Sequence, residues 1–434
     1  DADAAAFSEG MALAQAVLEE SDEAEIILRG TERTVPRLRQ GPLNSLAPRR
    51  RTITKSADPA NFTVTMTSPG LIDNVVVREC PYPTPKAGEV VVEVAAVGLN
   101  FRDIMAATGI LPDEAEGEGA WWRNLGLEFA GTVRSTGEAI TAFKVGDRVM
   151  GMGKGFLRRF AAADARFLMH VPDDVALEDV ATLPAAFMTA HYSLVDIGRL
   201  EPDEKVLVHL ATGGVGLAAI QVARDIGAEI LASAGSDTKR NFLRDLGITH
   251  VMNSRSLEFS EGVRAATGGR GVDVVLNALS GAGIDKGLEC LAPFGRFVEI
   301  GKRDLAQDKP IGLKSLYYNN SYSVIDLSTI ADERPARLSS LLRAVEAKVA
   351  QGLYRPLVAT RFPVSRAAEA MRLFSKAQHL GKVVLTFDEP AIEVEVDLNQ
   401  PMRFSGEASY LVTGVLRGFG VAVAGFLRRH GARR

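Results

Sequence analysis

The sequence predicts an α/β fold, a doubly wound parallel sheet joined to a separate β-rich region. Three observations carry that prediction. From about Leu183 onward, short apolar strands alternate with segments of helical spacing, the pattern of βαβ units. One of those strands runs straight into a glycine-rich turn that opens a helix, "VLVHLATGGVGLAAIQVA". Before Leu183, Val-rich runs such as "NVVVREC" and "EVVVEVAAVGLN" are bounded by Pro and Gly clusters and read as strands.

Taken in order, residues 7–20 have amphipathic helical spacing, and "AEIILRGTERTVPRLR" reads as two short strands about a Gly30-Thr31 turn. Gln40 to Asn61 is rich in Pro, Arg, Ser and Thr without a period, a linker signature. Short Gly-bounded strands follow at "EFAGTVRSTG" and "VGDRVMGMG". "LPAAFMTAHYSLVDIGRL" has helical spacing and starts the alternating region. Its strands are "EKVLVHLA", "EILASAG", "HVMNS", "VDVVLNALSG" and "GRFVEIG", with "GGVGLAAIQVARDIG" and "TKRNFLRDLG" as helices between them. A helix from Leu338 to Val349, "AAEAMRLFSKA" and a closing strand "GKVVLTF" complete this part. Residues 389–404 form an acidic linker, and the tail starts a new unit with strand "SYLVTG" and helix "VAVAGFLRR". A single βα unit cannot bury a core of its own.

Composition is that of an ordinary globular protein, 46% hydrophobic and 24% charged over 434 residues. Lys and Arg total 50 against 54 Asp and Glu, so no basic excess points to nucleic acid or an anionic membrane. Cys80 and Cys290 cannot form a disulfide framework, and a reducing, cytoplasmic compartment is expected. No apolar stretch is long enough to span a bilayer, and the first residues carry no signal-peptide pattern.

The glycine-rich turn is the strongest chemical signal. Val206 to Leu210 is an apolar strand, and Ala211-Thr212-Gly213-Gly214-Val215-Gly216 opens the helix after it. Backbone amides at a helix N-terminus cradle a pyrophosphate when no side chain blocks approach. Gly213 and Gly214 allow that approach, and Gly216 lets helix and strand pack closely. A turn used only for packing is the alternative. An NAD enzyme places an acid at the end of the second strand to hold the ribose 2′-hydroxyl. Here that strand ends "ASAGSDTKR", so Ser236 and Lys239, with Arg255 from "NSRS", are donors suited to the 2′-phosphate of NADPH. Asp237 is the nearest acid; Lys239 and Arg240 also fit a solvated helix face.

"GLNFRDIMAATG", "GLEFAGTV", "VGDRVMG", "ATLPAAFMTAHYSL", "ATGGVGLAAIQVA" and "GRGVDVVLNALSG" occur in that order. Together they resemble the zinc-independent branch of the medium-chain dehydrogenase/reductases, quinone oxidoreductases included. "FVEIGKRD" and "YSVIDLS" resemble the enoyl-reductase domains of polyketide synthases and animal-type fatty acid synthases. The resemblance covers residues 61–388. It implies a Rossmann-type sheet inserted in a GroES-like substrate domain built from both flanks. The expected order is the end of a pseudo-ketoreductase with linker (1–50), substrate domain (51–185), NADPH-binding domain (186–324), closing part of the substrate domain (325–388), linker (389–404) and the start of a ketoreductase (405–434). Thr413-Gly414, Gly418 and Gly420 carry the last assignment, by similarity to a TGxxxGxG turn.

Zinc-using relatives place a His before the Glu of a GHE turn, where this chain has Gly126-Leu127-Glu128. Leu cannot ligate, and two cysteines exclude a four-Cys cluster, so no metal is expected. Glu128 reads as a packing or salt-bridge residue.

The resemblance implies hydride addition to Cβ of a 2-enoyl thioester, charge on the thioester oxygen, and a proton to Cα. Such a site needs positioning, oxyanion donors and an acid. Lys302 in "EIGKRD" and Asp326 in "VIDLS" are the candidate proton-delivery or positioning pair, or else an ion pair at a domain seam. Asn100, Thr189, Asn277 and Gly301 are candidate cofactor contacts, and Leu111 a candidate substrate contact. Leu111 stands where related reductases carry a Tyr in a Gly-x-Tyr-Pro turn, which implies the 2R product from a 2-methyl substrate.

The implied partners are a phosphopantetheine-bound 2-enoyl thioester on an acyl carrier protein, adjacent synthase domains, and a second chain in a homodimeric parent. His191 reads as structural. Trp121 and Trp122 read as loop anchors or an acyl gate, and Arg158, Arg159 and Arg166 as a carrier-attracting patch or a solvated surface. A stand-alone quinone or enoyl-CoA reductase and an inactive scaffold are the competing functions.

Overall fold

The structure is a computed structural model that describes residues 27–29, 32–34, 52–56, 61–110, 124–395 and 419–429, with 431 and 433. The chain divides into two units, residues 1–51 and 52–434. In the first, Ile27–Arg29 and Glu32–Thr34 pair antiparallel, the two short strands expected there. The helix expected over 7–20, Thr413, Gly414 and Gly418 of the tail's glycine turn, and Leu111, Trp121 and Trp122 lie outside the described residues, while Gly420 falls in the helix Phe419–Arg429.

The second unit holds two main sheets. One has seven strands, ordered Leu168–His170, Arg148–Met152, Glu128–Thr136, Glu89–Gly98, Lys382–Thr386 and Ala359–Pro363, with Phe160–Asp164 also on Glu89–Gly98. The closing strand comes from far along the chain to complete the sheet that the earlier strands began. Val384 pairs with Gly98 and Thr386 with Ala96.

The other sheet has six strands, ordered His250–Asn253, Glu229–Ala234, Lys205–Val208, Val272–Asn277, Leu291–Glu299 and Ser321–Val324. Every pairing is parallel. Numbered by chain position this is 3-2-1-4-5-6, the Rossmann order, with a switch point between Lys205–Val208 and Val272–Asn277. All six residues of Val272–Asn277 are buried, as a central strand covered on both faces requires.

The helix Gly214–Ile226 buries Leu217, Ala218, Ala219, Ile220, Val222 and Ala223 and stops at Gly227, whose φ of 90° is left-handed. Alanines on the inner face let it lie close to the sheet. The helix Pro184–His191 runs on as a π-helical stretch, Tyr192–Ile197. His191 Nδ1 lies 2.8 Å from the Tyr354 hydroxyl, both residues buried, which makes it a structural residue. Among the described residues no helix is long and apolar enough to cross a membrane.

Candidate active site

A cleft of about 1920 Å³ lies between the two sheets, roughly twice the upper end of an ordinary ligand site at about 1,000 Å³. It is lined by the glycine turn, Ser236, Lys239 and Arg255, and also by Asn100, Thr189, Gly301, Lys302 and Asp326. There is room for a dinucleotide and a second ligand.

The glycine turn forms as the residues dictate. Leu210 leaves the strand at φ 50°, and Gly213 caps the helix with extended backbone. A Cβ on Gly216 would stand 2.6 Å from the Ala211 Cα, so only glycine permits this strand–helix approach. A Cβ on Gly214 would stand 2.5 Å from the Lys382 Cδ. The carbonyl of the buried Thr212 accepts a 2.8 Å hydrogen bond from the Gly381 amide, and Gly213 bridges to Gly381. The turn is thus stitched to the closing strand of the other lobe. Val215 lies half-buried at the first turn of the helix.

At the far end, Ser236 caps the helix Asp237–Asp245, its Oγ accepting from the Lys239 amide at 3.3 Å. Lys239 Nζ donates to the Ala377 carbonyl at 2.8 Å. Burial, with Arg255 nearby, lowers the Lys239 pKa. The Arg255 side chain lies against Gly235, where a Cβ would be 3.0 Å from its Nε. Asp237 turns outward, 91% exposed and paired with Arg240. That acid therefore does not compete with an anionic ligand for these cations.

Lys302 follows the strand Leu291–Glu299 and caps the short helix Arg303–Ala306. Its Nζ donates to the Ile325 carbonyl at 2.6 Å and stands 3.9 Å from Asp326 Oδ2. The expected pair is adjacent, but the closer partner of Lys302 is the carbonyl. Asp326 caps the helix Leu327–Glu333, accepting from the Ser328 amide and the Thr329 hydroxyl, each at 3.1 Å. Burial lowers the Lys302 pKa; Asp326 opposes that shift and Arg102 adds to it.

Of three cofactor candidates, two line the cleft and Asn277 does not. Asn100 lines the cleft, but its Nδ2 donates to the Gly98 carbonyl (3.1 Å) and Glu128 (2.9 Å), and its Oδ1 accepts from Lys382 (3.0 Å). Both of its donors are used within the protein. Thr189 also lines the cleft, with its hydroxyl donating to the Ala185 carbonyl at 2.7 Å. Asn277 is sealed behind the cleft wall, fully buried, bonding to Leu279 and to Glu299 at 2.6 Å. Its role is to brace the turn, because burial leaves it no face toward a ligand. Arg159 pairs with Glu93 and Arg166 with Asp164.

Three further charged residues stand in or beside the cleft wall. Lys382 makes an ion pair with Glu128 that is buried on both sides. Arg102 donates to Ser328 Oγ at 2.8 Å and stands 3.9 Å from Asp326. Glu299 is a buried carboxylate in the cleft wall. Each meets its partner across a long sequence gap or inside a strand, where spacing gives no signal. Zinc does not fit here. Leu127 offers no ligand atom, and Glu128 is taken by Lys382, Asn100 and, at 2.8 Å, the Ala185 amide. The dinucleotide does fit, because the glycine turn is open and Asp237 points away from the cations of the far end.

Residues 86–173 match the family description "alcohol dehydrogenase GroES-like domain", and residues 214–344 match "zinc-binding dehydrogenase". The mycocerosic acid synthase-like polyketide synthase of Mycolicibacterium smegmatis is 36% identical over 415 residues, covering 95% of this chain and 19% of that protein. The phthioceranic/hydroxyphthioceranic acid synthase of Mycobacterium tuberculosis is 38% identical over 414 residues, with the same coverage of 95% and 19%. The chain thus spans about a fifth of the length of the curated relatives it matches. The crystal structure of CurK enoyl reductase is 38% identical with a TM-score of 0.69, covering 75% of this chain and 99% of that one. The structure of mycobacterial Rv1454c complexed with NADPH is 26% identical, with a TM-score of 0.67 over 75% of this chain and 100% of that one. An open glycine turn at a sheet's switch point, facing a β-rich lobe across one cleft, agrees with these relatives in making the chain a nicotinamide-nucleotide oxidoreductase. Within that class, the chain belongs to the polyketide-synthase enoyl reductases of the medium-chain dehydrogenase/reductase family.

Proposed function

We propose that this chain reduces the 2,3 double bond of a 2-enoyl thioester, presented on the phosphopantetheine of an acyl carrier protein, with NADPH as reductant. The observation that carries this reading is one cleft with Ser236, Lys239 and Arg255 at one end and Lys302 with Asp326 at the other. When bound, NADPH would supply the hydride that reaches the substrate Cβ. The amides of Gly213 to Gly216 would hold its pyrophosphate, and Ser236, Lys239 and Arg255 would hold its 2′-phosphate. Lys302 presents an ammonium to the cleft, where it stabilises charge on the thioester oxygen or delivers a proton to Cα. Asp326 and the Ile325 carbonyl orient that ammonium, and Arg102 fixes the segment bearing Asp326. Leu111 has no hydroxyl to give, so another group or water protonates Cα and the 2R product results.

The same reading includes neighbouring domains in one polypeptide and a homodimeric parent synthase in the cytoplasm, but the linkers expected over Gln40–Asn61 and 389–404 are shortened, because Thr52–Ser56 and Ala391–Glu395 pair as strands and bury Ile392 and Val394. Sedimentation of the intact synthase tests the dimer. The function itself is tested by NADPH oxidation with 2-enoyl thioesters of varied length, with and without a 2-methyl group, against quinones. Turnover of quinones with none of the thioesters would overturn it.

A further inference from the structure

Glu299 is buried, 2% exposed, at the end of a strand in the cleft wall, and the chemistry above gives it no task. Its two carboxylate oxygens are divided between two elements. Oε2 accepts from Asn277 Nδ2 at 2.6 Å, at the end of the neighbouring strand, and Oε1 accepts from the Gly301 amide, in the turn that carries Lys302. A Cβ on Gly301 would stand 2.7 Å from that Oε1, so the turn is closed tightly onto the carboxylate. The backbone continues the linkage. The Glu299 carbonyl accepts from the Ile325 amide at 2.9 Å, and the Ile325 carbonyl accepts from Lys302 Nζ at 2.6 Å.

We propose that Glu299 is a positioning residue: as a carboxylate it ties the Gly301-Lys302 turn to the strand end bearing Asn277, and so sets where Lys302 presents its ammonium. Both partners are donors, so the joint needs two acceptors. Protonation removes the negative charge from both acceptors and adds an O–H with no acceptor beside it, which weakens both hydrogen bonds and loosens the turn. Burial raises the Glu299 pKa to about 7; Asn277, Gly301 and Lys302 resist the rise and Asp304 adds to it. The charged and titratable groups facing it are Lys302 from the turn, Asp304 from the short helix, and Tyr322 from the adjacent strand. The joint therefore tightens as pH rises through neutrality.

The inference rests on the proposed enoyl reduction, and its test separates the two. In the full chain, kcat with an enoyl thioester should rise with pH through about 7. Glu299→Gln should lower kcat about ten- to a hundredfold by displacing Lys302, shift KM for NADPH less, and flatten that limb. A Glu299→Gln protein with unchanged kcat, or with the limb in place, overturns the proposal. If that variant does not fold, Asn277→Ala removes one donor to the carboxylate and should move the limb to higher pH; an unmoved limb overturns it. A readout without turnover uses isotope-labelled methyl groups on the lysines, with Lys302 assigned through Lys302→Arg. Its magnetic resonance should titrate near neutrality and cease to do so in Glu299→Gln. Absent turnover with that titration present overturns the enoyl-reductase reading and keeps the Glu299 joint; a resonance indifferent to both overturns the joint.

Discussion

The Lys382 ammonium lies against the Glu128 carboxylate with both side chains sealed from solvent, at 4% and 0% exposure. It also donates to the Leu99 carbonyl at 2.9 Å and to Asn100 Oδ1 at 3.0 Å. A cation from the closing strand thus satisfies the acid that follows Leu127. Removing one member of a buried pair strands the other, which costs about 3–5 kcal/mol. Lys382→Met should lose that much in urea unfolding, and adding Glu128→Gln should recover part of it. Additive losses would mean that the two side chains do not act as a unit. Exhaustive chelation should leave NADPH oxidation unchanged, while loss of activity restored by zinc would contradict this account of Leu127.

Lys302→Ala should lower kcat about 10²–10⁴-fold, the range for losing acid–base help, while NADPH affinity by fluorescence stays close to that of the unmutated protein. Asp326→Asn should cost less, because the Ile325 carbonyl still holds Lys302. Near-normal rates in both variants would reduce the pair to a structural contact.

Lys239→Ala should weaken NADPH by tens of fold and spare NADH, since a charge-assisted phosphate contact is worth about 1.5–3 kcal/mol. Titration of both cofactors checks it. Equal use of NADH and NADPH by the unmutated protein would remove the basis for the prediction.

His209 is buried with Nδ1 2.8 Å from Ser233 Oγ, and burial lowers its pKa to about 3. A base with a depressed folded-state pKa adds stability above its ordinary value of 6.5 and loses it as pH falls toward 3. The loss is at most about 1.4 kcal/mol per pH unit for one proton. In His209→Gln, which cannot charge, urea midpoints should fall less steeply across that window. Parallel slopes would assign the acid sensitivity to other groups.

Leu111→Tyr is the test for the face of protonation. The unmutated protein should give the 2R product from a 2-methyl-2-enoyl thioester, and the variant should shift the ratio toward 2S. Chiral separation of the products reads both; a 2S product from the unmutated protein would refute the assignment.

Much of the cofactor half was legible in the sequence because it is local. The apolar run Val206 to Leu210, the glycines after it and the helix beyond lie within about twenty residues, and each has its own periodic or steric signature. Lys302 and Asp326 were found through two motifs, and the structure places them side by side. Asn277 lies off the cleft lining, which its sequence does not reveal, because a strand-end Asn reads the same whether it faces a ligand or braces a turn. Asn100 was legible as a cleft residue, but not as one whose amide donors are already spent on Gly98 and Glu128.

By itself, the sequence determined the alternation of strands and helices, the parallel sheet, the open glycine turn and the missing ligand at Leu127. These follow from side-chain period and from the absence of atoms, which need no knowledge of distant contacts. Only the tertiary structure decided that Lys382 closes onto Glu128, that Arg102 reaches Ser328, and that Glu299 joins Asn277 to the Lys302 turn. Lys382 and Glu128 are 254 residues apart, and a buried charge is tolerated only where folding brings its partner within hydrogen-bonding reach. No local pattern encodes that meeting, because it depends on the closing strand returning to pair with Glu89–Gly98.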